Sequence, residues 1–206
     1  GEEKEMELDG KYRHELKYKI HFSEYLAIRK RLRSVMRPDP HAGADGTYQI
    51  RSIYFDNVYD KALREKVDGI QKREKFRIRY YNDRFSLITL EKKIKHNSLC
   101  MKKDAEITEA ECRALLSGDT GWMLGHSEEP RVLVSYKREP YVYAAGNVRV
   151  TFDSNIRTTL FHRDFLENQV RDIETEEVPG DMILEVKFDE FLPEIISCLL
   201  QTEGIR

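Results

Sequence analysis

The stretch from Lys72 to Lys93, KREKFRIRYYNDRFSLITLEKK, constrains the fold more than any other part of the chain. Its two arms alternate in polarity about a polar centre, which is the pattern of a β-hairpin. In the first arm Lys75, Arg77 and Arg79 share one face, and Phe76, Ile78 and Tyr80 share the other. The second arm ends in Glu91 and Lys93, again two residues apart. A three-residue loop, Asn82-Asp83-Arg84, sets Lys75 opposite Glu91 and collects all five charges on one face. A two-residue loop sets Lys75 opposite Leu90 and splits the set; the expectation is the odd loop. Cations at spacing two repel one another. Solvent relieves that on an open face, and something anionic must relieve it on an enclosed one.

Other segments repeat the habit. Tyr12–Ile20 reads as a strand with Arg13, Glu15, Lys17 and Lys19 on one side. Thr47–Phe55 is a strand carrying Arg51. A two-residue turn at His96-Asn97 sets Lys93 opposite Cys100 and Glu91 opposite Lys102, adding Lys102 to the charged face. Arg131–Ala145 and Asn147–Arg157 form a hairpin through Ala145-Gly146-Asn147, with Tyr136 and Arg138 on one face of its first arm. On its second arm Arg149, Thr151 and Asp153 share a face, and Met182–Asp189 carries Glu185 and Lys187. Helices are expected over Phe22–Val35 with Ser23 as N-cap, over Val58–Lys66 capped by Asp56, and after Pro193. Thr108 with Glu111 forms a capping box opening a helix to Ser117 that stops at Gly118. Residues 1–10 read as a frayed acidic lead-in to a single domain spanning 1–206.

Across these strands the charged set, Lys19 left aside, holds eleven basic residues and only four acidic ones, Glu15, Glu91, Asp153 and Glu185, while the whole chain has a formal charge of −2. Basic charge is therefore segregated onto one face, not present in excess. Two architectures fit. An open sheet would carry helices on its apolar face and turn its charged face to water. A closed sheet would carry helices outside and enclose the charges as a receptor for a polyanion, its carboxylates holding a divalent cation that bridges phosphates. Several classes are disfavoured. No apolar run reaches membrane-span length. The acidic start is unlike a signal peptide, and three scattered cysteines suit a reducing cytoplasm, the expected location. No HxxxH or HExxH spacing is present, and Gly118, Gly121 and Gly125 lack the GK[ST] of a P-loop. No aromatic platform interleaved with basic residues points to nucleic acid.

The segments YRHELKY, RSIYFDN, KFRIRYYN, LEKK, SYKREPY, VRVTFD and ILEVKFDEFLP occur in an order that resembles the VTC-type polyphosphate polymerase domain, of the triphosphate tunnel metalloenzyme (CYTH-like) superfamily. The resemblance covers nearly the whole chain. It implies an α+β fold: a tunnel of about eight antiparallel strands with a charged interior and helices outside. It also implies transfer of the γ-phosphoryl group of ATP to a growing polyphosphate, with Mn²⁺ or Mg²⁺. By motif, Lys17, Arg51, Arg77, Arg79, Lys93, Lys102, Tyr136, Arg138, Arg149 and Lys187 resemble the phosphate-contacting set, with Lys17, Arg77, Arg79 and Arg138 as its catalytic members. Arg13 and Lys75 join from the charged face. Glu185 resembles the metal-associated carboxylate, with Glu15 and Glu91 as further candidates. Glu15 sits in an Arg-x-Glu-x-Lys strand where the wider superfamily has Glu-x-Glu-x-Lys. Related domains continue to a Ser-Lys-aromatic motif, which is not found here. The alternatives are a tri- or polyphosphate hydrolase and a polyphosphate- or nucleotide-binding module. The expected partners are ATP, polyphosphate, pyrophosphate or triphosphate, and no nucleic acid. A membrane-protein partner is not legible.

Overall fold

The computed structural model describes residues 11–57, 72–97, 99–119, 128–160, 162–167, 173–174 and 180–201. The lead-in and the expected helix at 58–66 lie outside them. In chain order the elements are β1 (Arg13–His21), α1 (Phe22–Leu32), β2 (Arg37–Pro38), β3 (Tyr48–Asn57), β4 (Lys72–Tyr81), β5 (Arg84–His96) and β6 (Leu99–Ile107). There follow α2 (Glu109–Leu116), β7 (Glu128–Tyr143), β8 (Val148–Thr159), β9 (Ile173–Glu174), β10 (Asp181–Phe188) and α3 (Glu194–Leu200). The strands are hydrogen-bonded in the order β2-β7-β3-β4-β5-β6-β1-β10-β8-β9, and β7 also pairs with β8. Eight of them, from β7 round to β8, thus form a closed antiparallel barrel.

Local chemistry accounts for the element ends. At α2 the capping box is present: the Thr108 hydroxyl accepts from the Glu111 amide at 3.2 Å, and the Glu111 carboxylate accepts from the Thr108 amide at 2.7 Å. At α1 the N-cap is His21, not Ser23. β1 runs straight into the helix, so His21 is the last extended residue; its ring accepts from the Ser23 amide, and Glu24 accepts from the His21 amide at 2.8 Å. The helix ends at Leu32, short of Val35, because Arg37 and Pro38 are drawn out to pair with Val142 and Tyr141 of β7.

Both hairpin registers differ from expectation in the same way. Asn82 and Asp83 each take φ 52°, a two-residue turn that pairs Tyr81 with Arg84. An irregularity between Arg79 and Tyr81 then shifts the register, so that Lys75 lies opposite Lys93 and Arg77 opposite Glu91. The five charges do share a face, through a bulge and not an odd loop. The next turn places Asn97 at φ 55° and pairs His96 with Leu99. Lys93 therefore faces Lys102, and Glu91 faces Asp104. In each case an asparagine tolerant of positive φ selects the turn.

The chain divides into two compact units. The first comprises Gly1–Tyr12, Gln49–Ser135 and Arg157–Glu174. On the apolar face of β3, β4 and β5 it buries Ile53, Ile78, Tyr80 and Leu90 against Cys112 and Leu115 of α2 and against Phe165. The second comprises Arg13–Tyr48, Tyr136–Ile156 and Thr175–Arg206. Its core joins Ile28 and Leu32 of α1, Ile196 of α3, Val150 and Phe152 of β8 and Leu184 and Val186 of β10. In each unit part of the opposite, charged face is buried too: Arg79 is 5% exposed, Glu91 2%, Arg138 8% and Glu185 4%, while Lys17, Lys75 and Lys102 are exposed. The pairing of β7 with β8, which closes the sheet, rules out the open sheet.

Gly146, in the turn between β7 and β8, has φ 72°, and a Cβ there would lie 2.6 Å from the Phe191 carbonyl oxygen. Gly146→Ala is accordingly expected to cost roughly 2 kcal/mol or more. Thermal unfolding should show this as a loss of about 4–8 °C, and an unchanged melt would contradict the turn geometry.

Candidate functional site

In the first unit the charged face is a grid of three strands. Lys75, Lys93 and Lys102 lie in one cross-strand row, and Arg77, Glu91 and Asp104 in the next. Like charges set directly opposite are unfavourable, so the lysine row is a point of local repulsion. Glu91 is its counterweight. Arg77 Nε pairs with Glu91 Oε2, and Lys102 Nζ lies 3.4 Å from Glu91 Oε1 and 2.9 Å from Asp104 Oδ2. Burial pushes the Glu91 carboxyl up, but Arg77, Arg79 and Lys102 outweigh it and pull it down to about 2. Burial likewise opposes the charge on Lys102, and Glu91 and Asp104 overcome that to raise it. Arg79 Nε donates to Ser52 Oγ at 2.9 Å, and Arg77 Nη1 donates to the Tyr54 hydroxyl at 3.3 Å.

In the second unit Glu185 is the hub. Lys187 Nζ lies 3.0 Å from Glu185 Oε1, Lys17 Nζ 3.4 Å from Oε2, and Arg138 Nη2 3.9 Å from Oε1. Burial alone would raise the Glu185 carboxyl, and Lys187, Arg138 and Lys17 reverse this, holding it far below the usual range. Arg138 makes a bidentate pair with Asp153, Nε to Oδ1 at 2.7 Å and Nη2 to Oδ2 at 2.8 Å, with its guanidinium 5.3 Å from the Tyr136 ring centre. Against the penalty of burial, Tyr136, Asp153 and Glu185 keep that guanidinium charged. Arg149 donates to the Tyr48 hydroxyl at 2.6 Å and pairs with buried Asp39 at 2.9 Å.

Two strand faces that gather several cations around a buried carboxylate belong to a recognisable family. The VTC domain model matches residues 12–206. The chain is a VTC domain. No curated protein matches it by sequence. Its fold is the tunnel fold that the family resemblance implied. A Bacillus halodurans structure described as a candidate adenylate cyclase is similar at TM-score 0.53 and 13% identity, over 86% of this chain and 81% of that one. A Vibrio parahaemolyticus structure described in the same terms is similar at TM-score 0.50 and 11% identity, over 87% and 77%.

Most of the expected residues of the VTC domain fall on the two faces, and two fall elsewhere. Arg51 pairs with Tyr80 and so lies on the apolar face of β3, with Ile53 and Phe55. There it donates to the Tyr80 hydroxyl at 2.6 Å and the Glu167 carbonyl at 2.8 Å. The expected strand assignment was right, but Ser52 and Tyr54 take the charged face. Arg13 is tied to Asp189 at 2.8 Å and to the Asn147 carbonyl, holding the β8 turn to the end of β10. Asp39, Tyr48, Ser52, Tyr54 and Asp104 contact the charged residues without having been expected. The first two lie in or beside a loop, and Asp104 was displaced by the two-residue error in register.

The tunnel fold implies a divalent metal. Among the described residues no group of three His, Cys, Asp or Glu side chains converges. Glu185 and Glu15 do converge on one cation, the Lys187 ammonium, at 3.0 and 4.0 Å. Two hard oxygen donors around a point already favourable to positive charge suit a metal that takes its remaining ligands from water and phosphate. Glu91 is held instead by Arg77 and Lys102 as an ion-pair partner.

Proposed function

We propose that this VTC domain is a metal-dependent polyphosphate polymerase that transfers the γ-phosphoryl group of ATP to a growing polyphosphate chain inside the barrel. The observation that carries the reading is that one buried carboxylate on each face gathers several cations, Glu91 taking Arg77 and Lys102, and Glu185 taking Lys17, Arg138 and Lys187. A chain of phosphates is the kind of anion that such clustered guanidinium and ammonium groups bind. The catalytic members that the family resemblance implies are Arg77 and Arg79 in the first unit and Lys17 and Arg138 in the second, and their role would be to stabilise phosphoryl oxygens. Lys75, Lys93, Lys102, Arg149 and Lys187, with Tyr136 beneath Arg138, would hold the flanking phosphates. Arg51 would act as a support from the apolar side of β3, and Arg13 from the end of β1.

Glu185 and Glu15 would hold Mn²⁺ or Mg²⁺, which when bound supplies charge neutralisation at phosphate oxygens. A terminal phosphate oxygen of the acceptor chain forms the new P–O bond to the γ-phosphorus as the β–γ anhydride bond breaks, and ADP departs. The attacking oxygen is already anionic, so no general base is needed. What the protein contributes is position and preorganised positive charge.

Incubation with ATP and Mn²⁺, followed by separation of long phosphate chains from orthophosphate, tests this. Long chains are expected. Orthophosphate alone would identify a hydrolase on the same faces, and neither product with retained tripolyphosphate binding would identify a binding module.

A further inference from the structure

Thr151 sits at the centre of the charged face of the second unit, directly opposite Glu185 in the β8–β10 register. Arg149 and Asp153 flank it on the same face of β8. It is 2% exposed, and its hydroxyl oxygen finds no hydrogen-bond partner among the described residues. Burying an unpartnered hydroxyl is unfavourable, and valine has the same shape and strand preference without that cost. The neighbour that could accept from it, Glu185, is already taken by Lys187, Lys17 and Arg138.

We propose that the Thr151 hydroxyl is a phosphate-binding donor, left unused while the lysines are folded onto Glu185 and engaged when a phosphate draws them off. This rests on the proposed function of the face and adds a neutral donor to its cations. The chemistry favours phosphate as the acceptor. Lys17, Lys187, Arg138 and Arg149 are all donors only, so an arriving anion is the species that meets them and the hydroxyl together. A charged acceptor also makes the stronger hydrogen bond.

The test is calorimetric titration of tripolyphosphate into the wild-type chain, Thr151→Val and Thr151→Ser at one salt concentration, with ligand-free thermal unfolding of each. Thr151→Val is expected to weaken binding roughly 10- to 100-fold, while its ligand-free Tm stays at or above that of the wild type. Thr151→Ser, which keeps the donor, is expected to bind within about threefold of wild type. Binding by Thr151→Val equal to wild type overturns the inference. So does a ligand-free Tm several degrees lower in Thr151→Val with affinity retained, which would mark a hydroxyl bonded to buried water. Failure of the wild-type chain itself to bind tripolyphosphate would instead sink the proposed function, and this inference with it.

Discussion

Asp153→Ala is expected to destabilise the fold by about 3–5 kcal/mol and to lower Tm by roughly 6–20 °C. The reason is the residue it abandons. Arg138 is 8% exposed and holds both Asp153 oxygens, at 2.7 and 2.8 Å. With Asp153 gone, the nearest carboxylate is Glu185 at 3.9 Å, already engaged by Lys17 and Lys187. A lysine in that position could lose its proton and become tolerable; a guanidinium stays charged. Removing both partners is a different experiment. In Arg138→Met with Asp153→Leu no buried charge is left unpaired, and such exchanges are often neutral or stabilising. The double variant is therefore expected to unfold within about 2 kcal/mol of wild type while binding tripolyphosphate at least tenfold more weakly. Urea unfolding and titration on both variants separate the two roles of Arg138. A stable double variant with full phosphate affinity would remove Arg138 from the proposed site.

What was legible in the sequence was whatever depends on neighbours a few residues apart. The Thr108–Glu111 capping box and the alternation of Lys75, Arg77 and Arg79 with Phe76, Ile78 and Tyr80 are local patterns, and each is realised. Hairpin parity was recoverable because a shift of two residues leaves every side chain on its own face. The identity of the cross-strand partner was not, because it depends on a bulge that no residue type announces. Glu91 thus meets Arg77 across the strands and not Lys75. Arg51 shows the other failure. Its strand was readable, but Tyr48, Ser52 and Tyr54 carry no charge to mark the polar face, and the arginine was assigned by its type. It lies among apolar residues because the Tyr80 hydroxyl and the Glu167 carbonyl accept its protons. Asp39 was invisible as a partner because it meets Arg149 from the loop after β2, 110 positions earlier in the numbering of the chain.

The burial of carboxylates among cations also dictates how the fold responds to acid. Glu91 ionises in the folded chain down to about pH 2, against an ordinary value of 4.5, because Arg77, Arg79 and Lys102 more than offset its burial. A depressed folded value means that the unfolded chain takes up the proton first. The stabilisation is then complete above the unfolded value and is lost as pH falls from about 5 toward 2. Its size is about 3 kcal/mol, and Glu185, depressed in the same direction by Lys187, Arg138 and Lys17, adds to the same limb. Urea midpoints measured from pH 7 to pH 2 should accordingly fall steeply below pH 5. Glu91→Gln is expected to lose about 3 kcal/mol at pH 7 and to show a shallower acid limb, because the group that titrates there is gone. An acid limb as steep as that of the wild type would mean that Arg77 and Lys102 do not hold Glu91, and the cation cluster inferred for that face would go with it.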